Sequence, residues 1–224
     1  MKKNIISLFV LTAMMLSSTV TANATGMVDV VPKDPTNYVS QLDYLPAREE
    51  NVEMYMTRSS SVYIDVNVVM DEEWRTQTNA RSLAQDAIET ADNYLWDEFR
   101  INFYNYEYEN WDSNDTGTHH DLLDEAISEH GLNGNDYMMA FTGQDYSVGG
   151  LGRVGEEYCL VINQNVTANH KVARHEIGHT YGLSHCNANC LMNSGTIFYD
   201  YYDVLCDSHY NTWQSKWDKY GTIQ

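Results

Sequence analysis

Residues 175–185 read H-E-I-G-H-T-Y-G-L-S-H and are the most informative segment of the chain for both fold and chemistry. His175 and His179 are four positions apart, so on a helix they lie on one face, one turn apart, where both imidazoles can reach the same metal ion. Glu176 follows the first histidine and can approach a water molecule on that metal without being a ligand. The pattern H-E-x-x-H is typical of a zinc-binding helix in which the glutamate is the general base.

Gly182 and His185 extend this pattern beyond the helix. Glycine has no Cβ and therefore accepts the left-handed conformation that often ends a helix. The chain can then turn and bring His185 back as a third ligand. Three neutral imidazoles leave a fourth position open for water, which is the arrangement of a catalytic zinc site rather than of a closed structural one.

The complete pattern H-E-x-x-H-x-x-G-x-x-H resembles that of the metzincin metallopeptidases. Met192 follows His185 by seven residues and looks like the methionine of that family's Met-turn, the apolar floor beneath the metal. The resemblance implies an α+β fold with a mixed twisted sheet, an active-site helix, a Met-turn and a C-terminal helix. It also implies a zinc ion on His175, His179 and His185, with Glu176 as general base. The alternative is a surface helix with unrelated histidines, which the third histidine, the glycine and the methionine disfavour.

The first 24 residues differ from the rest of the 224-residue chain. Lys2 and Lys3 form a basic start, residues 5–16 are mostly apolar, and Ala22-Asn23-Ala24 is an A-x-A cleavage site. This order predicts a secretory signal peptide, and hence a secreted protein, extracellular or periplasmic. The apolar run is shorter than the roughly 20 residues that span a bilayer, which disfavours a membrane anchor.

The charge of the chain is strongly acidic. The formal net charge is −19, and removal of the two signal-peptide lysines leaves 11 basic and 32 acidic residues, or −21. Such a surface repels nucleic acid and anionic membranes, so neither is an expected partner. The loop with Asp112, Asn114 and Asp115 offers oxygen ligands for calcium, although its spacing does not fit an EF-hand loop and a solvated turn is favoured.

Hydrophobic periodicity divides the remainder into an arm and one domain. Residues 25–57 contain all three prolines and are expected to form an N-terminal arm or a short propeptide. They contain no cysteine, so a cysteine switch is excluded, whereas Asp34 or Asp43 could block the metal. Alternating and helical patterns then predict one folded domain over residues 58–224, and the resemblance implies that this domain is a metzincin-like catalytic domain. The predicted order is a strand at 61–70, a helix at 78–99, strands at 101–109, 137–142, 149–155 and 157–163 with a helix at 119–129 among them, and helices at 168–181 and 211–220.

Glycine recurs at 149, 150, 152 and 155. No G-x-G-x-x-G opens a helix here, which disfavours a nucleotide site. Glycine within a strand permits the close approach of another backbone. In a metzincin this segment would be the edge strand above the cleft, and a protein or peptide substrate would pair in extended form along Gly150–Val154.

The four cysteines, Cys159, Cys186, Cys190 and Cys206, allow three pairings. Resemblance to the reprolysin branch of the metzincins implies a Cys159–Cys206 disulfide. Cys186 and Cys190 are four apart in a turn, close enough for a second bridge, although Cys186 departs from the aspartate usual in that branch. Two disulfides would suit a secreted protein. The archaemetzincins suggest another arrangement, because they carry a cysteine directly after the third histidine and a structural zinc nearby. That resemblance implies a second zinc site formed by Cys186, Cys190, Cys206 and His209. The spacing between the first two cysteines is one residue shorter than in the archaemetzincin pattern, and His209 takes the place of a cysteine. The secretory signal favours the disulfides.

The function expected from the sequence is that of a secreted zinc-dependent endopeptidase. The alternative is an inactive or latent zinc-bearing binding or adhesion protein. Glu176 speaks against that alternative, since loss of activity usually appears first at the catalytic glutamate.

Overall fold

The computed structural model describes residues 27–29, 60–164, 168–194 and 204–224. The predicted signal peptide and most of the predicted arm fall outside these ranges, so the boundaries at residues 24 and 57 stay predictions. Five helices are described: α1 (Glu72–Arg75), α2 (Ala80–Phe99), α3 (His119–Glu129), α4 (Asn169–Thr180) and α5 (Asp207–Gln214). The strands are β1 (Met27–Asp29), β2 (Val62–Met70), β3 (Ile101–Asn110), β4 (Tyr137–Thr142), β5 (Gly150–Arg153), β6 (Tyr158–Ile162) and β7 (Thr222–Ile223).

All seven described strands belong to one mixed sheet in the order β1-β5-β6-β4-β2-β3, with β7 paired to β2 beside this path. The four consecutive strands β6, β4, β2 and β3 are parallel to one another. β5 and β1 are antiparallel additions at one side. A mixed twisted sheet with helices on its faces confirms the predicted α+β, metzincin-like fold class.

Both faces of the sheet are covered, which explains why its central strands are so apolar. β4 is buried at every position, and β6 at all but its first. One face packs against α2, α4 and α5, and the other packs against α3 and Trp111. Parallel strands buried on two sides read as continuous hydrophobic runs. By contrast, β2 begins with the alternation of buried Val62, Ile64 and Val66 that the sequence predicted.

The predicted order of elements is confirmed, and three details differ. β5 is not outermost among the described strands, because β1 pairs with it. The last helix covers Asp207–Gln214 rather than residues 211–220, since Cys206 is in extended conformation directly before it. The short α1 and β7 were not predicted. None of the helices that the structure describes has the length and apolar character needed to cross a membrane.

Candidate metal centre

Helix α4 carries the first part of the motif and is buried along most of its length. Every residue from Val172 to Thr180 is inaccessible to solvent or nearly so, including His175, Glu176 and His179. An ordinary amphipathic helix exposes a polar face, so three ionisable side chains at full burial indicate a specific use. Gly182, at φ +85°, provides the predicted turn after the helix.

The three histidines of the motif come together as the sequence predicted. Nε2 of His185 lies 3.1 Å from Nε2 of His175 and 3.2 Å from Nε2 of His179. A tetrahedral zinc with Zn–N bonds of about 2.0–2.1 Å requires ligand nitrogens about 3.3 Å apart. The three nitrogens therefore fit one zinc ion, with a fourth direction left for another ligand.

Backbone carbonyls set the orientation of two of these rings. Nδ1–H of His175 donates to the Leu191 carbonyl at 2.7 Å, and Nδ1–H of His179 donates to the Leu183 carbonyl at 2.7 Å. With the proton on Nδ1, the lone pair of each neutral ring is on Nε2, the atom that points into the cluster. These two carbonyls have no signature in the sequence, because any residue can supply a backbone carbonyl.

The protonation states also suit a metal. Burial, together with the neighbouring imidazoles, lowers the pKa of His175 well below its usual value. Burial and His185 likewise lower the pKa of His179 to about 3. Both rings are thus neutral at pH 7, the form that binds zinc.

Two glycines allow strand β5 to lie directly against the helix that carries the histidines. A Cβ at Gly150 would lie 2.8 Å from Oε1 of Glu176, and one at Gly152 would lie 2.6 Å from the Glu176 carbonyl oxygen and 2.8 Å from Cβ of His179. The glycine pattern therefore permits close backbone approach, as predicted. As a result, the Glu176 carboxylate lies directly against β5 at Gly150.

Met192 lies where the resemblance places the Met-turn. A Cβ at Gly178 would be only 2.5 Å from Sδ of Met192, so the thioether packs against α4 between the two histidine-bearing turns. The Cys186 amide donates to the Met192 carbonyl at 3.0 Å and closes the loop that follows His185.

Two lysines close the other end of α4. Nζ of Lys219 donates to the Thr180 carbonyl at 2.7 Å, and Nζ of Lys216 donates to the Tyr181 carbonyl at 3.0 Å. Cations here satisfy carbonyls that the helix leaves unpaired and oppose its dipole. Sequence reasoning missed both lysines, because they are more than 30 positions from the helix.

The predicted disulfides Cys159–Cys206 and Cys186–Cys190 are wrong. All four cysteines are free thiols. Cys159 is buried in β6, where its thiol interacts with the Tyr137 hydroxyl and burial raises its pKa. Cys206 is instead beside Cys190, whose Sγ accepts a hydrogen bond from the Cys206 amide at 3.2 Å.

The other three cysteines form a second group of ligands with one histidine. We call this the distal cluster; its members are Cys186, Cys190, Cys206 and His209, whose ligand atoms all lie within 4.8 Å of one another. Nδ1 of His209 is 3.3 Å from Sγ of Cys190 and 3.4 Å from Sγ of Cys206. A tetrahedral zinc would place sulfur and nitrogen ligands about 3.5 Å apart. The donor set and spacing thus fit the zinc site that the archaemetzincin resemblance suggested.

The predicted calcium loop is not supported. Asp112 forms an ion pair with Arg75 at 2.7 Å, and Oδ1 of Asn114 accepts hydrogen bonds from the amide and hydroxyl of Thr116. Asp115 lies near Glu72 and Glu73, and such acidic groups are common without an ion. The loop oxygens are used within a polar turn, the structure that the sequence favoured.

Comparison with known proteins gives one family match and several structural matches. A reprolysin-type model described as metallo-peptidase family M12 matches residues 60–218. The archaemetzincin of Methanopyrus kandleri superposes with a TM-score of 0.53 at 19% identity, over 68% of this chain and 94% of that one. Metalloproteinase-II of Bacteroides fragilis gives a TM-score of 0.50 at 13% identity. That superposition covers 70% of this chain and 53% of the Bacteroides fragilis chain. No curated protein matches the sequence.

Proposed function

The chain belongs to metallopeptidase family M12, and we propose that it is a secreted zinc endopeptidase that cleaves extended peptide segments. The observation that carries this proposal is the convergence of three Nε2 atoms, that of His185 lying 3.1 Å and 3.2 Å from those of His175 and His179. The buried carboxylate of Glu176 lies on the helix that carries the latter two histidines. His175, His179 and His185 would hold the zinc. When bound, zinc supplies Lewis-acid activation of water and of the scissile carbonyl.

Glu176 has the acid–base role in this proposal. Its carboxylate would take a proton from the attacking water and pass it to the leaving amine as the peptide bond breaks. The burial of α4 supports this role. Exclusion of bulk water strengthens the electrostatic interactions of the carboxylate and limits the loss of its proton to solvent. Gly150 and Gly152 keep β5 close enough for a substrate on that strand to lie beside Glu176.

The substrate would take the place of β1. In the structure Met27, Val28 and Asp29 pair antiparallel with Arg153, Gly152 and Leu151. An extended peptide that adds to β5 forms the same backbone hydrogen bonds. Residues 27–29 must therefore leave this edge before a substrate binds. Cleavage of the chain after these residues would remove them and activate the enzyme. Mass spectrometry of the incubated protein would show such a cleavage as a shortened N-terminus.

Secretion is part of the proposal and is supported by the sequence of residues 1–24. Export would expose the cysteines to an oxidising compartment. A second zinc in the distal cluster would protect three of them, because thiolates bound to a metal are not available for disulfide formation. We therefore propose two zinc ions in the exported protein, one in each cluster.

The test is cleavage of a diverse peptide mixture by the purified protein beside Glu176→Gln. We expect products from the native protein only, and a loss of kcat/KM by about 10²–10⁴-fold in the variant. Glu129→Gln, which removes the same charge at the exposed end of α3, is the matched control and should retain full activity. Equal cleavage by Glu176→Gln would contradict the proposed role of this glutamate. No cleavage by a zinc-loaded, N-terminally shortened protein would favour the binding or adhesion function instead.

A further inference from the structure

The loop between the two clusters connects them directly. It runs from His185 to Met192 and has no regular secondary structure. Cys186, a member of the distal cluster, follows the predicted ligand His185. Cys190, another member, precedes Leu191, whose carbonyl accepts the Nδ1–H of His175 at 2.7 Å. Two of the three predicted zinc ligands in the histidine cluster thus depend on the position of this loop.

One end of this loop, Leu191 and Met192, is buried in the core, and few contacts outside the distal cluster hold the rest of its described residues. Residues 187–189 are exposed, and the Ala188 carbonyl accepts a hydrogen bond from Nδ2 of Asn193 at 2.8 Å. Within the described residues, the backbone bonds are from Cys186 to the Met192 carbonyl, from Leu191 to the Val204 carbonyl and from Asn193 to the Cys190 carbonyl. The amides of Met192 and Cys206 donate to Sγ of Cys190, at 3.5 Å and 3.2 Å.

The remaining distal ligands lie on a separate element. Cys206 is the N-cap residue of α5 and His209 lies in its first turn. This helix is fixed to the core by Trp213, which is fully buried and stacks on Tyr181 at 5.1 Å between ring centroids. An ion in the distal cluster would therefore tie the loop, through Cys186 and Cys190, to a helix that the core holds in place.

We propose that the ion in the distal cluster positions the catalytic centre, so that zinc affinity at the three histidines depends on occupancy of the distal cluster. This inference rests on the proposed function only for the identity of the two ions as zinc. The physical reason is that a metal cross-link fixes His185 and the Leu191 carbonyl before the catalytic ion binds, and ligands held in place lose less entropy on binding. His209 is then a positioning residue that touches neither the substrate nor the catalytic ion.

The experiment uses the full secreted chain and measures metal binding rather than activity alone. The variant is His209→Ala, because His209 lies outside the connecting loop. Zinc is counted after dialysis, affinity at the histidine cluster is measured by chelator competition, and Co²⁺ substitution reports thiolate ligation through its charge-transfer absorption. We expect two zinc ions in the native protein and one in His209→Ala, with affinity of the remaining ion weaker by about 10- to 100-fold.

Two further variants separate positioning from general damage. His209→Cys replaces the imidazole with a thiolate, which is also a zinc ligand. This variant should bind the second ion and show native zinc affinity at the histidine cluster. A side chain that only fills the space of His209 would do neither. His120→Ala, on α3 and away from both clusters, should change neither quantity.

The inference is overturned if His209→Ala binds the remaining zinc as tightly as the native protein does, or if the native protein binds one zinc without thiolate absorption. If His209→Ala fails to fold, the conservative variant His209→Gln replaces it, and the same zinc count and histidine-cluster affinity decide the matter. These outcomes are distinct from failure of the proposed function, which would appear as two bound zinc ions, normal coupling and no peptide cleavage.

Discussion

The histidine cluster and the distal cluster place similar ligands by different means. His175 and His179 come from one regular helix, are fully buried and have their tautomers fixed by backbone carbonyls. The distal cluster takes its ligands from a loop and from the start of α5, across 24 positions of sequence, and only Cys190 among them is fully buried. A helix supplies its own geometry, whereas a loop depends on whatever fixes its ends. The first cluster is therefore preorganised in large part, and the second has to be completed by its ion.

The largest expected effect comes from His179→Ala, which tests whether the coupling between the clusters is reciprocal. Loss of a direct ligand should weaken zinc at the histidine cluster by more than about 100-fold, beyond the effect of a supporting residue. Linkage requires that the two ions influence each other equally. The distal ion should thus remain bound to His179→Ala, with affinity reduced by the same factor that His209→Ala causes at the other cluster.

The measurement is Co²⁺ titration of both variants, with thiolate absorption for the distal ion and chelator competition for the other. One outcome would contradict linkage: His179→Ala leaves the metal affinity of the distal cluster unchanged, while His209→Ala lowers the metal affinity of the histidine cluster. That result would show that His209→Ala acts by damage to the fold.

A smaller effect, on the free energy of unfolding, is expected from Asp92→Asn. Asp92 is a buried acid outside both metal clusters, so its burial can be compared with that of the metal ligands. Asp92 is 5% exposed and its Oδ2 accepts a hydrogen bond from the Phe103 amide at 2.9 Å. Burial raises its pKa from 3.8 to about 7. Between these values the folded chain holds a proton that the unfolded chain has lost, so the free energy of unfolding falls as pH rises from about 4 to about 7.

An amide at position 92 does not titrate. The variant should therefore gain stability relative to the native protein by about 2 kcal/mol between pH 5 and pH 7, at about 1.4 kcal/mol per pH unit. Urea unfolding of both proteins in the same zinc buffer gives this difference. Asp97→Asn, the same change at an exposed position of the same helix, is the matched control. A pH-independent gap for Asp92→Asn would contradict the raised pKa.

The smallest effect is expected from Gly178→Ala, at the contact between α4 and the loop that joins the clusters. Alanine would favour the helix by about 1 kcal/mol, but its Cβ would meet Sδ of Met192 at 2.5 Å. Overpacking of this kind costs about 1–3 kcal/mol, so we expect a net destabilisation of about 1 kcal/mol. Thermal unfolding measures it.

A double-mutant cycle with Met192→Ala identifies the cause. If the clash is responsible, Met192→Ala should cost less in the Gly178→Ala background than in the native protein. Additive effects would show that Met192 moves away without cost and that the loop is less fixed than the structure indicates.

Much of the fold could be predicted because its patterns are local. Alternation over residues 61–70 and helical spacing over residues 78–99 depend only on which face of each element is buried, and the structure buries Val62, Ile64 and Leu95 accordingly. The short α1 and β7 lack such a pattern, since 4 and 2 residues are too few to show a period. The pairing of β1 with β5 was also beyond prediction, because a three-residue strand is specified by its partner rather than by its own sequence.

The histidine cluster can be predicted from local sequence, because the spacing H-E-x-x-H-x-x-G-x-x-H encodes one helix and one turn, and the geometry of both is set within eleven residues. The partners of the thiols, by contrast, depend on contacts between distant parts of the chain. Four cysteines permit several pairings, and the choice depends on where β6, the connecting loop and α5 lie in space. The sheet holds Cys159 beside Tyr137, while the loop and α5 bring Cys186, Cys190 and Cys206 to His209. Long-range packing made that choice, and no spacing along the chain records it.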